Sequence, residues 1–292
     1  MNKLRLIFVH GISDMIIKND YTSDLVGLLL QELEQQGIIP ARATSDQIEQ
    51  FITFERVNYS EIGQAEEDKV LAAYFQERNK LYNLFDKALE GLGFDALRRF
   101  LVSSVSDVLI YESELWRERI RSTLLEKIQP YIKTGDAVTV IGHSLGSVVA
   151  FDTLYYNSRH NPSWLDANFK VTNLFTMGSP IALFSLEMDD VTGEQKPRYF
   201  PKDATPANMN PANTNPDLQP VQNEGVWYNF LDAQDLIGYP LEVLFKNKFR
   251  LEDILIQTGT QPIKAHTDYW INHEVAHRIA ERLKADYKRI NP

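Results

Sequence analysis

The chain has 292 residues, with 30 Lys and Arg against 40 Asp and Glu, a formal net charge of −10 and no cysteine. That balance leaves no basic footprint for nucleic acid and repels anionic membrane surfaces, and the lack of thiols excludes disulfides, cysteine nucleophiles and cysteine-ligated metals. Length alone suggests about two domains, but chains of this size that alternate strands and helices commonly fold around one sheet, so a single domain over 1–292 is expected.

Leu4 to Val9 is apolar enough for a buried strand, and it ends in His10-Gly11-Ile12. A glycine there lets the backbone bend so that amide groups point into a cavity. The His10 ring in such a turn is expected to bond backbone and hold the loop rather than act in chemistry. The Leu6 to Val9 run is too short for a signal peptide, and no stretch of about 18 apolar residues occurs, so a soluble cytoplasmic protein is expected. From Thr22 to Gln36, Leu25, Leu29 and Leu33 recur every four residues, with Thr22 or Ser23 as cap and Gly37 just past the end, which predicts an amphipathic helix. Phe51 to Tyr59 predicts the next strand.

Residues 61 to 133 have helical periodicity and no proline before Pro130. Glu112 to Lys133 suffices for one crossover helix, which leaves 61–111 as an inserted helical cap. Its apolar faces, Leu81, Phe85, Leu89 and Leu92, then Phe94, Leu97, Phe100 and Leu101, are expected to pack on the domain; the sharper alternative is that they line an acyl pocket and give transient lipid or membrane contact. Ala137 to Ile141 predicts a buried central strand and Ser147 to Tyr156 a helix. Between them stands Gly142-His143-Ser144-Leu145-Gly146, the G-x-S-x-G pattern of a nucleophile elbow. Strand and helix nearly touch at such a turn, so residues two positions either side of the serine must be small.

Val171 to Met177 predicts another strand, closed by Gly178-Ser179-Pro180. The segment 187–224 is a loop rich in Pro, Asn and Asp, whose acids Asp189, Asp190 and Asp203 are expected to be solvated. Gly225 to Leu231 is the next strand, followed by Asp232 and Asp235. Asp253 to Gln257 reads as the last strand, after which a Gly- and Pro-containing loop delivers His266, and a helix closes the chain to about Tyr287.

A free serine hydroxyl is a poor nucleophile near neutral pH, so acyl transfer by Ser144 requires a base and an acid that orients it. His266 is the histidine placed beyond a strand's C-terminal edge, and Asp235, farther into its loop than Asp232, is the preferred acid, with Asp232 as the alternative. The oxyanion donors would be the backbone amides of Ile12 and Leu145. No cofactor and no metal are implied.

Val9-His10-Gly11, Gly142 to Asp152 and His266-Thr267-Asp268-Tyr269 resemble a lipase-type α/β-hydrolase over nearly the whole chain. The resemblance implies a mostly parallel central sheet with helices on both faces, an inserted helical cap, and a serine hydrolase acting on lipid or small-molecule carboxylic esters through Ser144, Asp235 and His266. Thr176 to Ile181 and Asn229 to Tyr239 are distantly similar to intracellular phospholipases of the DDHD group, although Leu236 replaces the proline that commonly follows the acid there and Pro240 an arginine.

Two other readings compete. His273-Glu274-Val275-Ala276-His277 matches the H-E-x-x-H motif of zinc metallopeptidases. Against zinc, no further histidine follows, Asn272 is a helix cap that puts His273 at a helix start, and Val275, Ile279 and Leu283 form the buried stripe of a terminal helix. The third reading is a non-catalytic binding protein on the same scaffold, since a fold does not fix a function.

Overall fold

A computed structural model describes residues 1–11, 21–59, 111, 114–160, 171–184, 225–245 and 251–292. Six parallel strands form one sheet: β1 (Leu4–Val9), β2 (Ile52–Val57), β3 (Ala137–His143), β4 (Val171–Met177), β5 (Val226–Leu231) and β6 (Leu251–Leu255), in the order β2-β1-β3-β4-β5-β6. The expected α/β class is what the described residues show. The expected cap (61–111, except Tyr111), the 187–224 loop and Ile12 lie outside the described residues.

The period of two in each strand sends alternate side chains to opposite faces, and both faces are apolar, as a parallel sheet covered on both sides requires. Ile7, Val9, Val138, Val140, Leu174 and Trp227 pack on one side with α3 (Glu114–Ile128) and α4 (Leu145–His160). Leu6, Phe8, Ile141, Phe175, Met177 and Phe230 pack on the other with α1 (Ser23–Gln35) and the terminal α7 (His273–Ile290). Leu25, Leu29 and Leu33 of α1 and Val275, Ile279 and Leu283 of α7 are fully buried, so both predicted stripes face the core. Truncating one of them to alanine removes on the order of 2–5 kcal/mol.

Polar pins fix α7 in register on the sheet. Asn173 of β4 donates to Asp286 Oδ2 at 2.7 Å, and Arg282 holds both residues, through Asn173 Oδ1 at 3.0 Å and Asp286 Oδ1 at 2.8 Å. Burial pushes the Asp286 carboxyl above the ordinary carboxylate range against the pull of Arg282. Asn272 caps α7, accepting from the amides of Glu274 and Val275.

Three local expectations are corrected. β6 spans Leu251–Leu255 rather than 253–257, because its pairing runs from Trp227 opposite Leu251 to Leu231 opposite Leu255. His266 stands in a short helix α6 (Pro262–Thr267) rather than in a loop, with Pro262 pre-set for a first helical turn. Thr22 precedes α1 but makes no capping bond, since its hydroxyl accepts from Arg56 Nε at 2.7 Å.

The sheet order creates the site. β1 pairs with β2 on one side and β3 on the other, so strand addition reverses direction there, the position at which open α/β sheets commonly bind ligands beyond the strands' carboxyl ends. Gly11 follows β1 and Ser144 follows β3 at that edge. No helix among the described residues is long and apolar enough to cross a membrane.

Candidate active site

The turn from β3 into α4 places Ser144 in the left-handed region, at φ 53°. For a residue with a β-carbon this costs on the order of 1–3 kcal/mol, which the surroundings must supply. They do so by close packing of main chain on main chain. A β-carbon on Gly146 would lie 2.1 Å from the carbonyl oxygen of His10, and one on Gly142 would lie 2.7 Å from that of Gly146, so both positions admit only hydrogen. Hydrogen bonds hold the turn from both sides. The Ser144 amide donates to the Met177 carbonyl at 2.9 Å, and Ser147 Oγ donates to the Ser144 carbonyl at 2.6 Å. Ser147 Oγ also meets Ser179 Oγ at 2.7 Å, which gives the predicted turn residue Ser179 a place in this support.

Leu145 is the first residue of α4, where an amide has no acceptor within the helix and the helix dipole is positive. Gly11 borders the serine directly, since a β-carbon there would sit 2.6 Å from Ser144 Cβ and 3.2 Å from its Oγ. The loop before Ile12 is held as its sequence implied. His10 Nδ1 lies 2.6 Å from the Gly11 carbonyl, the ring stacks on Tyr59 at 4.4 Å, and Tyr59 donates to the His10 carbonyl at 2.6 Å. Burial lowers the His10 pKa to about 4, so the ring is neutral.

Asp235 and His266 meet across 31 residues of sequence, with His266 Nδ1 at 2.9 Å from Oδ1 and 3.0 Å from Oδ2 of Asp235. Oδ1 also accepts from the Ile237 amide at 2.8 Å. Burial works against charge on this carboxyl, but the His266 ring, the Ile237 amide and Tyr269 outweigh it and hold the pKa below the ordinary range. Both residues are buried. A bare Nδ1–H directed at a carboxylate leaves the opposite ring nitrogen as the basic one.

Asp232, the alternative acid, is occupied elsewhere. Its Oδ2 accepts from the Thr258 amide at 2.6 Å and its Oδ1 from the Gln234 amide at 2.8 Å, while Thr258 Oγ1 reaches the Ala265 carbonyl at 2.7 Å. Asp232 thus ties the end of β5 to the segment that carries α6. Its pKa is lowered too, the amides of Thr258 and Gln234 outweighing burial.

The serine turn and the Asp235–His266 pair are adjacent. The ring of His143, the residue before Ser144, lies 4.8 Å from that of His266, centroid to centroid. His143 Nε2 is 2.6 Å from the His266 carbonyl, and burial lowers the His143 pKa to about 3, so the neutral ring donates that bond. Gly178, at φ 54°, completes the wall: a β-carbon there would lie 2.7 Å from Asp235 Oδ2 and 3.0 Å from His266 Nδ1. Three residues around this pair carried no assigned role in the sequence: His143, Gly178 and Tyr269, whose hydroxyl is 2.9 Å from Asp235 Oδ2. A signal for Tyr269 exists, because it follows His266 by one helical turn.

The H-E-x-x-H residues fall on the outer surface of α7. His273 and His277 are exposed, and His277 Nδ1 pairs with Glu32 Oε2 of α1 at 2.9 Å. Among the described residues no three His, Asp or Glu side chains converge on a metal-sized site.

No family model matches this chain. Over 160 residues it is 27% identical to a protein named a probable mitochondrial phospholipase of Schizosaccharomyces pombe, covering 51% of this chain and 20% of that protein. Over 115 residues it is 28% identical to a protein named a probable mitochondrial phospholipase of Saccharomyces cerevisiae, covering 37% of this chain and 15% of that one. The chain therefore aligns with a fifth or less of the length of these relatives.

Proposed function

We propose that this chain is a serine hydrolase of the α/β-hydrolase type that cleaves carboxylic esters of lipids through an acyl-enzyme on Ser144. One observation carries the reading: a left-handed serine beyond a central strand, whose neighbour His143 packs its ring 4.8 Å from that of a buried His266 bonded through Nδ1 to Asp235 at 2.9 Å. In the proposed reaction His266 Nε2 takes the Ser144 hydroxyl proton as Oγ attacks the ester carbonyl carbon. Asp235 holds the tautomer and balances the imidazolium. The oxyanion is stabilised by the Leu145 amide and, by sequence position, the Ile12 amide. Collapse expels the alcohol, which takes the proton from His266, and water then repeats the sequence to free the acid.

The relatives named probable phospholipases support a lipid ester as substrate. Acyl-chain contacts are assigned to the 61–111 segment on its Phe and Leu content, each buried methylene being worth about 0.8 kcal/mol. The test is hydrolysis of phosphatidylcholine and of acetyl, butyryl and octanoyl p-nitrophenyl esters by the wild type and by Ser144→Ala. Turnover that rises with chain length and is lost in Ser144→Ala supports the reading. Equal turnover by the two proteins contradicts it.

A further inference from the structure

We propose that Tyr269 is a positioning residue for the acid–base pair, fixing the charge and orientation of Asp235 as His266 changes protonation state. This rests on the serine-hydrolase reading for its catalytic consequence, but the contact itself is open to measurement without turnover.

The direction of the hydrogen bond is determined by the second partner. Tyr269 is fully buried, and its oxygen lies 3.0 Å from the Asp232 amide, which can only donate. The phenol proton is thereby left for Asp235 Oδ2, 2.9 Å away. Burial, with the neighbouring Asp235 charge, pushes the Tyr269 pKa up, so the donor is never lost by ionisation. His266 and Tyr269 are three residues apart on consecutive helical segments, α6 and the turn Asp268–Ile271, so one helical turn grips both oxygens of a single carboxylate. Main chain closes on the pair at two glycines. A β-carbon on Gly178 would lie 3.0 Å from Tyr269 Cε2 and one on Gly238 would lie 2.8 Å from Asp235 Oδ2.

A carboxylate that shares its charge with a phenol is a weaker acceptor for the imidazole Nδ1–H. Removing the phenol proton therefore concentrates charge on the bond to His266, tightens it and makes the imidazole more basic. It also frees the carboxylate to rotate. The expected consequence is a change in kcat with KM nearly unaltered, because Tyr269 lies behind the pair.

The experiment compares wild type, Tyr269→Phe and a protein with 3-fluorotyrosine at 269, which keeps the hydroxyl as a stronger donor. Two readouts are taken: the low-field proton resonance of the His266 Nδ1–H, and the pH profile of kcat/KM on a soluble ester. In Tyr269→Phe the resonance should move downfield, kcat should fall about tenfold and the acid limb should move to higher pH. Fluorotyrosine should move both the resonance and the limb in the opposite direction. A structural role alone would lower the melting temperature and kcat while leaving the resonance and the acid limb in place, and that result overturns the proposal. Should Tyr269→Phe fail to fold, the fluorotyrosine protein decides by the same criteria. If no ester is turned over yet the resonance moves as stated, the contact stands and the hydrolase reading fails.

Discussion

Around Ser144 the geometry is set by main chain packed against main chain: Gly146 under the His10 carbonyl, Gly142 under the Gly146 carbonyl, and amide bonds to Met177 and from Ser147. Around His266 it is set by side chains from three separate segments, Asp235, Tyr269 and the His143 ring, joined by hydrogen bonds. The first arrangement resists any added atom, whereas the second tolerates isosteric changes and loses only chemistry. Substitutions on the two sides should therefore fail in different ways.

The largest separation of activity from stability is expected at the acid. Asp235→Asn should lower kcat by about 10⁴-fold, because the amide favours the wrong imidazole tautomer, with a small change in melting temperature. Asp232→Asn should reverse the pattern, keeping kcat within about tenfold while lowering stability by on the order of 1–3 kcal/mol through lost bonds to Thr258 and Gln234. Steady-state kinetics with thermal melts check both. A 10⁴-fold loss confined to Asp232→Asn would show that Asp232, not Asp235, is the acid.

At the serine turn the order is inverted. Gly146→Ala puts a methyl 2.1 Å from the His10 carbonyl oxygen, and the only relief is to part β1 from α4. Stability should fall by about 3 kcal/mol or more, with activity lost as a consequence of unfolding. Circular dichroism that remains native with an unchanged melting temperature would show that the close approach is not rigid.

Acid should weaken both regions together. His10 and His143 are neutral in the fold, with pKa values lowered to about 4 and about 3, whereas the unfolded chain takes up these protons near pH 6.5. Their contribution is thus complete above about pH 6.5 and is lost as pH falls toward 4, by up to about 1.4 kcal/mol per unit for each ring. Asp235, with a lowered pKa, adds to the loss below about pH 4, and Asp152 and Asp286, pushed up by burial, oppose it just above that pH. Urea titrations at pH 7 and pH 5 should show the drop, and His143→Asn should reduce it by about half, leaving the share of His10. Stability that is level between those two pH values contradicts the burial of neutral rings.

The same contrast governs what was legible in the sequence. The Ser144 turn was readable because its requirements are local: a β-branched strand, two glycines at fixed offsets and a helix. β1 and β4 also kept their predicted bounds, since each is a buried run ending in a turn signal. β6 did not, because at the sheet edge its register is set by pairing to β5 and by the Asp253 carboxylate accepting the Leu241 and Glu242 amides, neither of which leaves a periodic trace. Pro262 was ambiguous, marking a loop or a first helical turn equally well. The preference for Asp235 over Asp232 was read from loop position in the sequence, whereas the bond from Thr258 to Asp232 depends on a contact 26 residues away and left no local trace. Tyr269 left one local signal, its place one helical turn after His266, but its partner lies 34 residues upstream.

In the proposed reaction Ser144 is an activated nucleophile, and covalent labelling tests this without any assumption about the substrate. The protein is treated with a fluorophosphonate at neutral pH and the adduct mapped by peptide mass spectrometry. One label per chain is expected on Ser144, absent in Ser144→Ala and slowed by about 10³-fold or more in Asp235→Asn. Labelling on another residue, or at an equal rate in Asp235→Asn, would contradict it.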